Sequence, residues 1–186
     1  MSGQKERMLR GELYRAGDDP ELIADIVRCD ALLARYNATR AGDREERHRI
    51  LAELLGSVGE DVSVRPPLYM DYGYQTSIGS ETFINFGCII LDVARVAIGA
   101  DVQIGPNVQI LTPTHPLDAE ERRSGLEAAE PISIGDNVWL GGGAIVLPGV
   151  TIGRDTVVGA GAIVTKDLPP GVLAVGNPAR ILRSLM

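Results

Sequence analysis

From residue 98 onward, aliphatic side chains recur every six residues. Ile98, Ile104 and Ile110 open the series. Ile134, Leu140, Val146, Ile152, Val158 and Val164 continue it in the same phase. Gly99, Gly105, Gly135, Gly141, Gly153 and Gly159 each follow one of them directly. Upstream, Ile78, Ile84 and Ile90 keep the interval but sit two residues out of phase. A helix repeats every 3.6 residues and a strand every two, so neither produces this beat. A hexapeptide period signals a parallel β-helix, in which each unit is one short strand and one corner. Three units close a coil, and the coils stack strand upon strand. The aliphatic residue points into a narrow prism, and the small residue after it helps the chain turn. The chain is 45% hydrophobic but only 4% aromatic, which suits many thin aliphatic layers.

The beat fails between residues 111 and 131. "LTPTHPLDAEERRSGLEAAEP" is too polar to line a prism and reads as a loop ejected from the coil. A long loop inside a regular solenoid carries function or disorder. His115 stands at its root, between Pro113 and Pro116. The prolines fix their own φ and push the preceding residues towards extended shapes. By itself His115 reads as a turn residue.

Residues 1–56 have a different periodicity. "PELIADIVRCDALLARYN" places Leu22, Ile23, Ile26, Val27, Leu33 and Tyr36 on one helical face. Asp18 or Asp19 caps it, with Pro20 in the first turn. "DREERHRILAELLG" predicts a second helix, with Asp43 and Glu46 at capping-box spacing and Gly56 as its stop. His48 lies in a charged run and reads as a solvated residue. The expected organisation is a helical cap over 1–56, a β-helix over 57–167 and a tail over 168–186.

The net charge of −7 gives no general attraction to nucleic acid or anionic membranes. Cys29 and Cys88 have neither metal-type nor disulfide-framework spacing, so reduced thiols in a cytoplasm are expected. The charged N-terminus shows neither a signal peptide nor a membrane span. A three-histidine zinc site is excluded by a chain with two histidines, one of them in the helices. "GGGA" and "GAGA" lack the following Lys-Ser/Thr of a phosphate loop and read as corners.

Several stretches together carry a resemblance. They are "GELYRAGDDPEL", "RYN", "DYGYQTSIG", "NFGCIILD", "THPLD", "IGDNVWLGGGAIVLPGVTIG" and "GAGAIVTKDLPPGVLAVGNPARI". With them the chain resembles the hexapeptide-repeat sugar O-acetyltransferases, the maltose and glucose type most nearly and the galactoside type as a relative. The resemblance implies a left-handed β-helix, a homotrimer with sites between subunits, acetyl-CoA as co-substrate and a sugar as acceptor. No metal and no acyl-enzyme are implied.

A sugar hydroxyl is a poor nucleophile at neutral pH and needs a base, for which histidine is well matched. The resemblance gives that role to His115. It puts Asn85 beside the acceptor hydroxyl, where an amide can orient it or bind an oxyanion. Asp18 and Asp71 match acceptor-contacting positions, and Asp92 is a further acceptor-binding candidate from its place in the chain. Asp18 reads equally as a helix cap. Asp92, at the phase slip, reads equally as a turn residue or as a side chain ejected towards the site. Gly142, Ala160 and Thr165 match positions along the pantetheine arm. Lys166, Arg180 and Arg183 match phosphate-binding positions and read otherwise as surface charge. Trp139 is expected to face outward, and Cys88 to be buried. Phe83 and Gly142 stand where galactoside enzymes carry tyrosine and serine, and Glu127 where they carry an apolar residue. These departures leave the sugar open. The alternatives are another hydroxyl or amino acceptor, or a non-catalytic scaffold.

Overall fold

The computed structural model describes residues 3–185. Short parallel strands form three faces of a prism. The first face stacks Ser57–Val58, Thr76–Ile78, Val96–Ile98, Ile132–Ile134 and Thr151–Ile152. The second stacks Ser63–Val64, Phe83–Ile84, Gln103–Ile104, Trp139–Leu140, Val157–Val158 and Val172–Val175. The third stacks Leu68–Met70, Cys88–Leu91, Gln109–Leu111, Ile145–Val146 and Ile163–Val164. The chain visits the faces in turn, as a hexapeptide solenoid must. The pairing continues past the expected end of the coil, because Val157 and Val158 pair in parallel with Leu173 and Ala174. Arg180–Ser184 then folds back antiparallel on Val172–Val175.

The six-residue beat becomes vertical register. Ile78, Ile98, Ile134 and Ile152 are successive partners on the first face. Ile84, Ile104, Leu140 and Val158 align on the second. Ile90, Ile110, Val146 and Val164 align on the third. All are buried. Each such side chain contributes about 1.5–3 kcal/mol relative to exposure.

Turning and stacking fall to different residues. The turn is made three positions after the inward aliphatic. Asp61, Glu81, Asp101, Asn107, Asn137 and Asp155 take φ between 52° and 60° there. Gly87, Gly143, Gly149 and Gly161 fill the equivalent places with φ between 67° and 78°. The glycine directly behind the aliphatic, expected to help the turn, instead allows close approach of coils. A Cβ on Gly141 would lie 2.4 Å from the Ala160 backbone nitrogen.

Three helices cap the lower end: α1 (Gln4–Leu9), α2 (Pro20–Asn37) and α3 (Arg44–Leu54). Asp19 caps α2 by accepting from the Glu21 N–H. The buried face of α2 is Leu22, Cys29, Leu32, Leu33 and Tyr36. This rotates the expected stripe, and Ile23, Ile26 and Val27 are exposed. The rotation follows from what α2 covers. The Asn37 side chain donates to the Leu68 carbonyl at 2.9 Å and accepts its N–H at 2.8 Å. The Tyr36 hydroxyl donates to the Val64 carbonyl at 2.7 Å. The helix thus satisfies a strand edge that a further coil would otherwise pair. The Asp43–Glu46 capping box does not form. Asp43 accepts from the Arg40 N–H, and Glu46 pairs with Arg49. His48 is exposed, as expected.

Gly141→Ala should destabilise the protein by about 2–3 kcal/mol, because neighbouring backbone must move. Gly17→Ala, where a Cβ meets nothing within 4 Å, should change stability by about 0.5 kcal/mol or less. Urea unfolding of both variants measures the difference.

Candidate active site

The solenoid breaks its rhythm at one corner only, between the third and first faces. Eight residues, instead of six, lead from Met70 to Ile78 and again from Ile90 to Ile98. One coil higher, the segment from Thr112 to Pro131 leaves the prism at the same corner. The extra residues therefore stack and build a second apolar cluster outside the prism. It contains Met8, Tyr14, Leu22, Tyr72, Val93 and Ala129. The helical cap meets the ejected segment here.

Backbone pairing is lost at such a corner, and side chains replace it. The Asp92 carboxylate accepts from the backbone N–H groups of Tyr72 at 2.9 Å, Gly73 at 3.1 Å and Gln75 at 3.3 Å. It also accepts from the Thr76 hydroxyl at 3.1 Å. Asp92 is fully buried. Burial pushes its carboxyl above the usual range, and the hydrogen bonds from Tyr72 and Gly73 oppose that. The side chain is thus turned inward, which is the turn-residue alternative of the two readings the phase slip left open. Its contacts make it a positioning residue for the corner that carries Asp71. Thr112, also buried, repeats the device one coil higher. Its hydroxyl donates to the Leu91 carbonyl at 2.7 Å and accepts from the Ala94 N–H at 3.0 Å.

Asp71 is half-buried and makes none of the described hydrogen bonds. Burial pushes its pKa up to about 6, and Asp92, Glu127 and Asp30 add to the rise. Asp18 is exposed at the end of the short 3-10 turn Ala16–Asp18. Because Asp19 is the cap, Asp18 has no capping duty.

The ejected segment is folded. Pro113–Thr114 pairs antiparallel with Ala128–Ala129, with Pro113 opposite Ala129 and Thr114 opposite Ala128. Between them lies α4 (Ala119–Arg123), capped by Asp118. The Arg122 guanidinium donates to the carbonyls of Pro116 at 2.9 Å and Leu117 at 3.0 Å. His115 is exposed on this stem, held by the pairing on one side and the arginine clamp on the other. Tyr14 and Glu127 exchange backbone hydrogen bonds, each 3.0 Å. Cap and loop are therefore joined strand to strand beside His115.

Asn85 lies on a different corner, between the second and third faces. Its side-chain oxygen accepts the Phe86 N–H at 2.8 Å, leaving the amide NH2 as the available donor. Gly142 and Ala160 occupy the same corner in higher coils, where the backbone is closely stacked. Thr165 and Lys166 return to the corner of Asp71 and His115, above the ejected segment. Arg180 and Arg183 lie on the final antiparallel strand. Thr165, Lys166, Arg180 and Arg183 are exposed. The three cations form none of the described ion pairs. Within one chain, then, Asp71, His115, Thr165 and Lys166 share a corner, and Asn85, Gly142 and Ala160 share another. Trp139 is 56% exposed on the second face, and Cys88 is buried.

Two family models match the chain. The maltose acetyltransferase hexapeptide capping motif covers residues 7–59, and the bacterial transferase hexapeptide covers residues 131–166. A solved maltose O-acetyltransferase from Clostridium difficile 630 superposes with a TM-score of 0.97 at 45% identity, over 100% of this chain and 98% of that one. The chain belongs to the hexapeptide-repeat acetyltransferases. A galactoside acetyltransferase solved in complex with coenzyme A matches with a TM-score of 0.95 at 38% identity, over 100% of this chain and 92% of that one. Nodulation protein L of Rhizobium meliloti (strain 1021) is 53% identical over 178 residues, covering 96% of this chain and 97% of its own. This is an acetyl-CoA-dependent acetyltransferase of the maltose and galactoside type. Among the described residues no helix is long and apolar enough to cross a membrane.

What the sequence left unread in this acetyltransferase is the first phase slip, at Met70–Ile78. Comparing the interval with that after Ile90 would have stacked Asp71 under Leu91 and Tyr72 under Asp92. Tyr14 carried no signal of its own, because its partner is 113 residues away in Glu127.

Two stability tests follow from the corner. Asp92→Ala strands the buried N–H groups of Tyr72 and Gly73, the part-buried one of Gln75 and the buried Thr76 hydroxyl, and should cost about 3 kcal/mol or more in urea unfolding. Asp71 has a folded pKa above its unfolded value near 4. Its protonated form favours the fold, a contribution present in full below about pH 4 and lost as pH rises through about 6. Asp71→Asn should therefore match wild-type stability near pH 4 and exceed it near pH 8. Thermal unfolding across that range checks the sign.

Proposed function

We propose that the enzyme transfers the acetyl group of acetyl-CoA to a hydroxyl of a glucose- or maltose-type sugar, in a ternary complex. The observation that carries this reading is the position of His115. It stands on a stiff stem at the mouth of a half-buried acidic corner, joined to the cap by the Tyr14–Glu127 bridge. His115 acts as general base. It takes the proton of the acceptor hydroxyl as the oxygen attacks the thioester carbonyl. A C–O bond forms, the C–S bond breaks, and the proton leaves on the coenzyme thiol. Asn85 supplies its amide N–H to the acceptor oxygen or the developing oxyanion. Asp71 and Asp18 accept from other sugar hydroxyls, and Asp92 holds the Asp71 corner in place. The backbone at Gly142, Ala160 and Thr165 lines the pantetheine arm, and Lys166, Arg180 and Arg183 meet the phosphates.

The reading calls for a homotrimer, since His115 and Asn85 lie on different corners of one prism. The third face, which joins those corners, supports it. Tyr69, Ile89, Gln109, Ile145 and Ile163 stand outward there in a partly exposed, mainly apolar column. The cytoplasm is the setting, because acetyl-CoA is the donor.

Free-thiol release from acetyl-CoA with glucose, maltose and a galactoside tests the reading. Sugar-dependent release in wild type should fall about 10²–10⁴-fold in His115→Ala. Release that survives the substitution removes the base role. Coenzyme binding without release for any sugar removes the sugar acceptor.

A further inference from the structure

We propose that the cleft between α3 and the lower end of the second face is a ligand site of its own, for a phosphate monoester carried on a flat apolar body. The site is independent of the sugar reading above.

Helix spacing sets one wall. Arg44, Arg47, His48 and Leu51 recur at helical intervals and share one face of α3. Such a stripe is ordinarily apolar and packed. Here only Leu51 is buried, and the first two turns stand over a cleft of about 740 Å³. That is the size of a small-molecule site. Val62, Val64 and Phe83 line the coil side, and the buried Tyr36 and Leu51 form the base. The Tyr36 hydroxyl is already committed to the Val64 carbonyl, so the base is preformed. Within one chain the second face lies opposite the corner of Asp71 and His115. No residue assigned above to acetyl transfer lines the cleft.

Charge indicates the ligand. Arg44, Arg47, Arg49 and Arg65 line the cleft against Glu45 and Asp61, in a chain whose net charge is −7. Two of the four arginines are occupied. Arg47 donates to the Thr39 hydroxyl at 2.8 Å, and Arg49 pairs with Glu46 at 2.6 Å. The Arg44 and Arg65 guanidiniums make none of the described ion pairs or hydrogen bonds. Arg65 is held by stacking instead, its guanidinium carbon 3.9 Å from the centre of the Phe86 ring. Stacking fixes the plane of the fork and leaves its N–H edges free. His48, also without a described partner, adds a further donor at the mouth.

The two free guanidiniums come from different elements, Arg44 from α3 and Arg65 from the end of strand Ser63–Val64. A carboxylate presents one bidentate edge and meets one of them. A phosphate monoester has three terminal oxygens and can accept from both. Phosphate alone leaves most of the cleft empty. A flat ring covers the apolar surface of Phe83, Val62 and Leu51, which explains why cations and apolar side chains line the same space.

Calorimetry of the full-length protein makes the test, with coenzyme A at saturation so that the donor's phosphate site stays filled. The probes are naphthyl phosphate, naphthoate and inorganic phosphate. Naphthyl phosphate should bind at one site per chain, about tenfold or more tighter than either of the others. Arg44→Gln and Arg65→Gln should each weaken it about tenfold. In Arg44→Gln, kcat/KM for acetyl-CoA should be unchanged. Absence of saturable binding overturns the inference. So does binding that both variants leave intact, because the probe would then sit elsewhere. Naphthoate or inorganic phosphate binding as tightly as naphthyl phosphate overturns the ligand class. A loss of acetyl-CoA turnover in Arg44→Gln that parallels the loss of binding overturns the independence of the site.

Discussion

The whole structure depends on the distance between coils. Parallel strands stack about 4.8 Å apart, and behind each inward aliphatic the backbones approach so closely that a Cβ at Gly135 would lie 2.6 Å from the Arg154 nitrogen. No slack exists along the axis, so an insertion cannot be absorbed within a coil. It must leave sideways at a corner. Extra residues that leave at the same corner in successive coils stack into a structure of their own. Asp71–Gln75, Asp92–Arg95 and the Thr112–Pro131 excursion are such a stack. The acidic corner is thus a by-product of rigid register, and rigidity is what a positioned base requires.

Much of this was legible in the sequence because a period of six has one structural solution. The helix Pro20–Asn37 was legible too, with its cap and first-turn proline. Its buried face was not. Periodicity identifies an apolar stripe, but the strand edge at Leu68, met by Asn37, decides which side turns inward. Asp92 shows the limit from the other direction. The phase slip marked the residue correctly as unusual, and only the backbone N–H groups around it show that the carboxylate serves the corner instead of facing outward. The capping box at Asp43 and Glu46 failed because Arg40 and Arg49 offered competing partners. The bridge between Tyr14 and Glu127 joins segments with no common pattern, and no local rule foresees it.

Fold and site connect through the split between corners. Acetyl transfer needs a base on one side of the acceptor and donors for the thioester on the other. A single prism offers these groups at different edges: His115 with Asp71 at one, Asn85 with Gly142 and Ala160 at another. On the proposed reading, two copies bring the edges together, and the helical cap closes the acceptor side. Substrate choice then falls to the ejected segment and the cap. Their side chains are free to vary, because they lie outside the register that holds the solenoid.

Mixing two inactive variants tests this split most directly. His115→Ala and Asn85→Ala chains would be unfolded, mixed in equal amounts, refolded together and assayed for thiol release. If each site takes His115 from one chain and Asn85 from its neighbour, about a quarter of the interfaces regain both residues. Activity should then return to about a quarter of that of refolded wild type. A mixture no more active than its two components, from samples that do assemble, would contradict the shared site.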